Sequence, residues 1–182
     1  VDASVTKPFF ESLLAALDGR APDYLVISHM EPDHCASIEE VCRHFPDIRL
    51  VGNAKTFQFI RQFFGMELEG RTVEVKEGEE LSLGRHTLRF HMAPMVHWPE
   101  VMISLDGTNG VLFAADAFGS FGSLDGKLFA DEVNFGRDWI DDARRYYTNI
   151  VGKYGPLVMD LLKKAGTLDI KIVCPLHGPV WR

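Results

Sequence analysis

Short apolar runs alternate with amphipathic stretches along this chain. Tyr24-Leu25-Val26-Ile27-Ser28 is an apolar run bounded by Pro22 and a polar cluster, the pattern of a buried strand. Between Ser37 and Phe45, the residues Ile38, Val41 and Phe45 recur at helical spacing and predict a short helix. Ile48-Arg49-Leu50-Val51 predicts a second strand. Ala54 to Phe64 predicts a second helix, with Phe57, Ile60 and Phe64 on one face.

The middle of the chain is β-rich. Thr72-Val73-Glu74-Val75, Glu80-Leu81-Ser82-Leu83 and His86 to Met92 are short segments broken by Gly78 and Gly84, as in a meander with tight turns. Val101 to Leu105 and Val111 to Ala115 flank Asp106-Gly107-Thr108-Asn109-Gly110 and predict a hairpin. A long amphipathic helix follows, with Trp139, Ala143, Tyr147, Ile150 and Tyr154 on its apolar face and Gly155-Pro156 at its end. Leu157 to Ala165 predicts another helix, and Ile170 to Cys174 a last buried strand. Strands feeding helices around a β-rich centre indicate a layered α/β protein.

Composition narrows the class. With 182 residues, 46% hydrophobic and 25% charged, the chain is long enough for a core and lacks the signature of disorder. Without repeat or linker, it is expected to be one domain over residues 1–182. It holds no apolar run of about 18 residues and no basic leader at Val1-Asp2-Ala3-Ser4, so neither a membrane span nor a signal peptide is expected. A net charge of -7 argues against non-specific nucleic-acid binding. Cys35, Cys42 and Cys174 form no CxxC pair, which excludes a zinc-ribbon or rubredoxin-like site and suits a reducing cytoplasm. Cys35 and Cys174 read as small buried packing residues.

The polar residues that carry chemistry fall just after the apolar strands. His29-Met30-Glu31-Pro32-Asp33-His34 follows the first strand and places four potential metal ligands within six residues. His97 lies in Pro94-Met95-Val96-His97-Trp98-Pro99. Asp116 enters Asp116-Ala117-Phe118-Gly119 after a strand. His177 follows the last strand in Cys174-Pro175-Leu176-His177-Gly178-Pro179. Four histidines and three carboxylates, with no thiolate, suit iron, manganese or zinc. Seven ligands exceed what one catalytic zinc takes. They fit two ions about 3.5–4 Å apart with a shared bridge. Without ions, three carboxylates in one cleft would raise each other's pKa, so metal is expected to stabilise the fold. The competing structural roles are a helix start capped by Asp33 and a core position for Trp98. His44, His86 and His91 read as structural, the first near a helix C-terminus and the others within a β segment.

HxExDH at His29 to His34, Pro-Met-Val-His-Trp-Pro, Asp-Ala-Phe-Gly and Cys-Pro-Leu-His-Gly-Pro, in that order, resemble the diiron domain of the flavodiiron proteins (A-type flavoproteins). The common hydrolases of the metallo-β-lactamase fold have histidine where this chain has Glu31. The resemblance implies a metallo-β-lactamase-like αββα sandwich and reduction of dioxygen to water or of nitric oxide to nitrous oxide. It implies one iron held by His29, Glu31 and His97, the other by Asp33, His34 and His177, with Asp116 as the bridge. A carboxylate at Glu31 makes the donor set harder and more anionic, which suits an iron pair that changes oxidation state.

Family members also carry a flavodoxin domain with FMN, and no such phosphate loop occurs here, nor a rubredoxin domain. Val1-Asp2 resembles the end of a strand that follows earlier strands in the family. The chain is therefore expected to be a central piece, incomplete at its N-terminus. It would draw electrons from an FMN-containing flavodoxin domain and a rubredoxin-like donor, as a cytoplasmic homodimer or homotetramer with no nucleic-acid or membrane partner. Two rivals remain: a binuclear zinc hydrolase of the same fold, and a metal-binding fragment without activity.

Overall fold

A computed structural model describes all residues, Val1–Arg182. The chain divides into two compact units, Val1–Val75 and Lys76–Arg182.

In the first unit, a 3-10 turn at Ala3–Val5 leads into helix α1 (Thr6–Leu17). The strand end expected at Val1-Asp2 is not formed, since these residues precede the turn without regular structure. Strands β1 (Tyr24–Val26), β2 (Arg49–Gly52) and β3 (Thr72–Glu74) form a parallel sheet in that order. Parallel neighbours need crossovers. Here they are α2 (Pro32–Cys35) with α3 (Ile38–His44), and then α4 (Ala54–Phe64). Asn53 caps α4 by accepting from the amides of Lys55 and Thr56, and Gly65 in the left-handed region closes it. Phe57 and Ile60 of α4 bury against a core that includes Met30, Ile48 and Leu50. The placement of β3 corrects the expected meander: Val73 pairs with Val51 of β2, not with the next strand in sequence.

The second unit is built on five strands in the order β4 (Glu80–Ser82), β5 (Thr87–Met92), β6 (Met102–Asp106), β7 (Val111–Phe113) and β8 (Ile172–Cys174). The first four pair antiparallel, with β6–β7 the expected hairpin, and β8 joins β7 in parallel. Every residue of β6 is buried, so this strand is the centre of the unit. Ile103 and Leu105 pack with Leu112, Val151 and Leu161. By contrast β8 is half-buried rather than buried, because it lies at the sheet's edge.

The long helix expected from Trp139 onward is three pieces: α5 (Phe135–Asp138), α6 (Ile140–Ile150) and a 3-10 turn at Gly152–Tyr154. Gly155-Pro156 opens α7 (Gly155–Ala165) instead of ending its predecessor, since proline suits the first turn of a helix. None of the helices is long and apolar enough to cross a membrane.

Candidate functional site

In the first unit, the ligand-rich loop continues directly from β1, where the Ile27 amide still donates to the Val51 carbonyl at 2.9 Å. Pro32 starts α2, and the amides of His34 and Cys35 donate to the Glu31 carbonyl at 2.9 and 3.0 Å. Glu31 thus occupies the cap position, but its side chain makes no capping bond. Its carboxylate instead lies with Oε2 3.4 Å from Nε2 of His29. Asp33 sits inside the first turn rather than at the cap, with Oδ2 3.6 Å from Nε2 of His34. The His29 and His34 rings stand 5.7 Å apart, and His29 is buried beside the fully buried Met30. Four donors expected from the sequence therefore share one loop surface within this unit.

The second unit gathers the other three. Asp116, 1% exposed, stands just past β7. Its Oδ2 lies 3.0 Å from Nε2 of His97 and its Oδ1 3.7 Å from Nε2 of His177. Each carboxylate oxygen thus faces a different imidazole. Three backbone bonds tie the Asp116 and His177 loops together. The Ala114 amide donates to the Cys174 carbonyl (3.0 Å), Leu176 to Ala115 (2.8 Å) and Ser120 to His177 (3.4 Å). Gly178 makes the last approach possible: its φ is +79°, and a Cβ there would lie 2.9 Å from the Ser120 nitrogen. Met95, Ala115 and Phe118, all within two residues of His97 or Asp116, are non-glycine residues at φ +65°, +50° and +66°. Such positions cost on the order of 1–3 kcal/mol and gather at functional sites.

Tyr146 of α6 is a residue the sequence pattern misplaced. It is buried, and its hydroxyl donates to the Asp116 carbonyl at 3.0 Å, with its ring 5.7 Å from that of His177. Tyr147, assigned above to the apolar face, is 47% exposed. The signal was present: Trp139, Tyr146 and Ile150 also recur at helical spacing. Gly119 provides the room, because a Cβ there would lie 2.7 Å from Cζ of Tyr146. Glu100, fully buried three residues after His97, is a second carboxylate that apolar periodicity did not flag.

The remaining candidates fall elsewhere. His86 Nδ1 lies 2.9 Å from Asp106, and His91 Nδ1 lies 3.0 Å from Glu77. His44 ends α3 against Phe45 and Phe10. Trp98 packs on the second unit's core, its ring 6.2 Å from that of His97. Cys35 is buried as expected, whereas Cys174 is only half-buried on the edge strand. Burial pushes the Cys174 thiol above its ordinary range, and does the same to Cys42 against the opposing pull of Arg71. Neither is therefore a thiolate at neutral pH.

A family model described as "ODP family beta lactamase" matches residues 3–178. The nitric oxide reductase of Moorella thermoacetica is 32% identical over 186 residues, covering 98% of this chain and 46% of that protein. Among solved structures, the flavodiiron protein from Giardia intestinalis superposes with a TM-score of 0.90 at 26% identity, covering 100% of this chain and 44% of that one. The rubredoxin oxygen:oxidoreductase of Desulfovibrio gigas gives a TM-score of 0.90 at 26% identity, covering 100% of this chain and 45% of that one. The chain spans less than half the length of the curated relatives it matches. The expected α/β fold of the metallo-β-lactamase type stands on these likenesses. By the extent of that family match, the chain belongs to the ODP family of beta-lactamase-like proteins.

Proposed function

We infer that this chain is the diiron part of a flavodiiron-type enzyme that reduces dioxygen or nitric oxide. Its two sets of donors would furnish one binuclear iron centre. His29, Glu31 and His97 would hold one iron, and Asp33, His34 and His177 the other. The observation that favours this is Asp116, which turns one oxygen toward His97 and the other toward His177. A carboxylate whose two oxygens face different imidazoles is disposed to serve two ions at once. The donor chemistry also fits: imidazole nitrogens and carboxylate oxygens already face one another at 3.0–3.7 Å, without a thiolate among them.

A pair of iron ions, when held by these residues, would supply the electron-transfer chemistry that reduction of the gas requires. The side chains of this chain set the conditions. Asp116 is fixed through its backbone carbonyl by Tyr146, so its carboxylate stays aimed without using either oxygen. Burial of His29 and Asp116 keeps bulk water from their donor atoms. Glu31, in place of an imidazole, adds negative charge and hard-oxygen character, favouring the higher iron oxidation state. A hydrolytic zinc site has no use for such tuning, since it needs only an activated water.

The flavodoxin domain with FMN, the rubredoxin-like donor, the cytoplasmic location and assembly as a homodimer or homotetramer belong to this same proposal. The names of relatives support the flavin and rubredoxin partners and the gas-reducing activity, including an anaerobic nitric oxide reductase flavorubredoxin from Aeromonas hydrophila and a coenzyme F420H(2) oxidase from Methanothermobacter marburgensis. Elemental analysis, with anomalous scattering at the iron edge, tests it together with gas consumption by the chemically reduced protein. Iron at two per chain and uptake of dioxygen or nitric oxide are expected. Zinc with esterase activity and no gas uptake would overturn it.

A further inference from the structure

The second unit contains a cavity of 160 Å³ lined by Val96, Ala117, Val151, Val158 and Leu161, with Phe118, Tyr147 and Leu162 around it. No charged side chain lines it, and the Tyr147 hydroxyl is the one polar side-chain group in the lining. A neighbouring cavity of 140 Å³ shares Val96 and Leu161 as walls but also holds Asp160 and Lys164. The two therefore differ in chemistry: the second presents charged groups, the first almost only hydrocarbon.

Size and lining select the occupant. The pocket opens to solvent between Phe118, Tyr147 and Leu162, which are 36%, 47% and 42% exposed, while Val96, Ala117 and Leu161 form a buried apolar floor. Water gains no hydrogen bonds on that floor, whereas xenon or a small apolar molecule of the size that fills a cavity of about 150 Å³ loses none there. Position adds the link to the ligand loops. Val96 immediately precedes His97, and Ala117 immediately follows Asp116. Two wall residues are thus chain neighbours of donors that lie 3.0 Å from each other. The cavity belongs to the same packed layer that positions those donors, since Val96, Ala117, Val151 and Leu161 are all members of the second unit's core.

We propose that this cavity is a holding site for a small uncharged diatomic gas, dioxygen or nitric oxide, from which the gas passes to the donors of the adjoining loops. The proposal rests on the gas-reducing function inferred above. An uncharged diatomic forfeits almost no hydration on entering hydrocarbon, whereas water and ions do. The site would therefore raise the local concentration of substrate beside the donor loops.

Xenon tests this without turnover. Crystals of the full-length protein under xenon pressure should show an anomalous peak bounded by Val151, Val158 and Leu161. Val158→Phe, which places a ring in the void, should remove that peak, leave metal content unchanged and raise the KM for the gas several-fold with kcat retained. Should that variant fail to fold, Val158→Leu reports the same loss in smaller measure. An empty cavity under xenon overturns the proposal, as would another segment of the full-length protein filling it. An unchanged KM in a variant shown to exclude xenon does so too. Failure of the underlying function is distinguishable: it would be seen as zinc in place of iron and no gas uptake, with xenon still bound.

Discussion

Tyr146→Phe removes one hydroxyl and leaves the ring, so it isolates the bond from α6 to the Asp116 carbonyl. That carbonyl is also approached by the Gly119 amide, at 3.4 Å. It is therefore weakened rather than orphaned. The expected loss is then near the net worth of one hydrogen bond, about 1 kcal/mol, and below the ~3 kcal/mol of a fully unsatisfied buried group. Urea denaturation followed by tryptophan fluorescence is well suited, because Trp98, Trp139 and Trp181 all lie in the second unit. Metal affinity should fall by about tenfold, the lower range for losing a group that orients a ligand. Gly119→Ala provides an independent handle, since its Cβ would meet Cζ of Tyr146 at 2.7 Å and push the ring off its bond. If both act through the same bond, Gly119→Ala costs less in the Y146F background, by about 0.5–1 kcal/mol. Additive effects with unchanged metal affinity would refute the assignment of Tyr146 as a positioning residue.

Asp116→Ala should drop metal content from two ions per chain toward none, as both imidazole-facing oxygens are lost; elemental analysis showing two ions retained would exclude a bridging role. His91→Ala should leave metal content unchanged while lowering the denaturation midpoint, because His91 is buried with its Nδ1 3.0 Å from Glu77 and is not among the grouped candidate donors. Burial pushes the Glu77 carboxyl up, but hydrogen bonds from Lys164, the Met92 amide and His91 outweigh it and hold the group below its ordinary range. A depressed folded value means the stabilisation is present at neutral pH and lost as pH falls through that value. Glu77→Gln should therefore flatten the acid limb of a stability-versus-pH curve, and an unaltered limb would contradict this. Ala115→Gly relieves a residue at φ +50°. The left-handed penalty of about 1–2 kcal/mol is offset by glycine's entropic cost of roughly 0.5–1 kcal/mol and by the loss of a buried methyl worth about 0.8 kcal/mol, so Tm should change little while metal affinity falls as Asp116 loosens.

The strands that lead into the candidate donors were legible because their apolar runs end abruptly in polar residues, as at Ser28-His29 and Ala115-Asp116. What escaped was non-local or one residue out of phase. β3 has a strand's composition, but nothing in it shows that its partner is β2, twenty residues earlier, rather than the next strand. Helix α1 went unread because it buries no residue and carries Pro8 in its first turn, where a proline is tolerated. At Tyr146-Tyr147 two identical side chains compete for one face, and only packing under Gly119 decides which enters. The seven candidate donors could be proposed because each unit's strand ends expose chemistry that a core has no use for. Tyr146 and Gly119, which touch the candidate donor Asp116 or the ring bonded to it, carry no such mark.

The parallel pairing of β8 with β7 bears on how the protein is made. His29, Glu31, Asp33 and His34 lie in the first unit and emerge early from the ribosome. Asp116 emerges much later, and the strand that brings His177 beside it follows the whole stretch from Ala114 to Lys171. Pairing across so long a separation is slow to close. The nascent chain consequently exposes acidic and imidazole donors well before their last companion exists. If these residues hold metal as proposed, an ion acquired during synthesis would meet only a partial set until the edge strand docks.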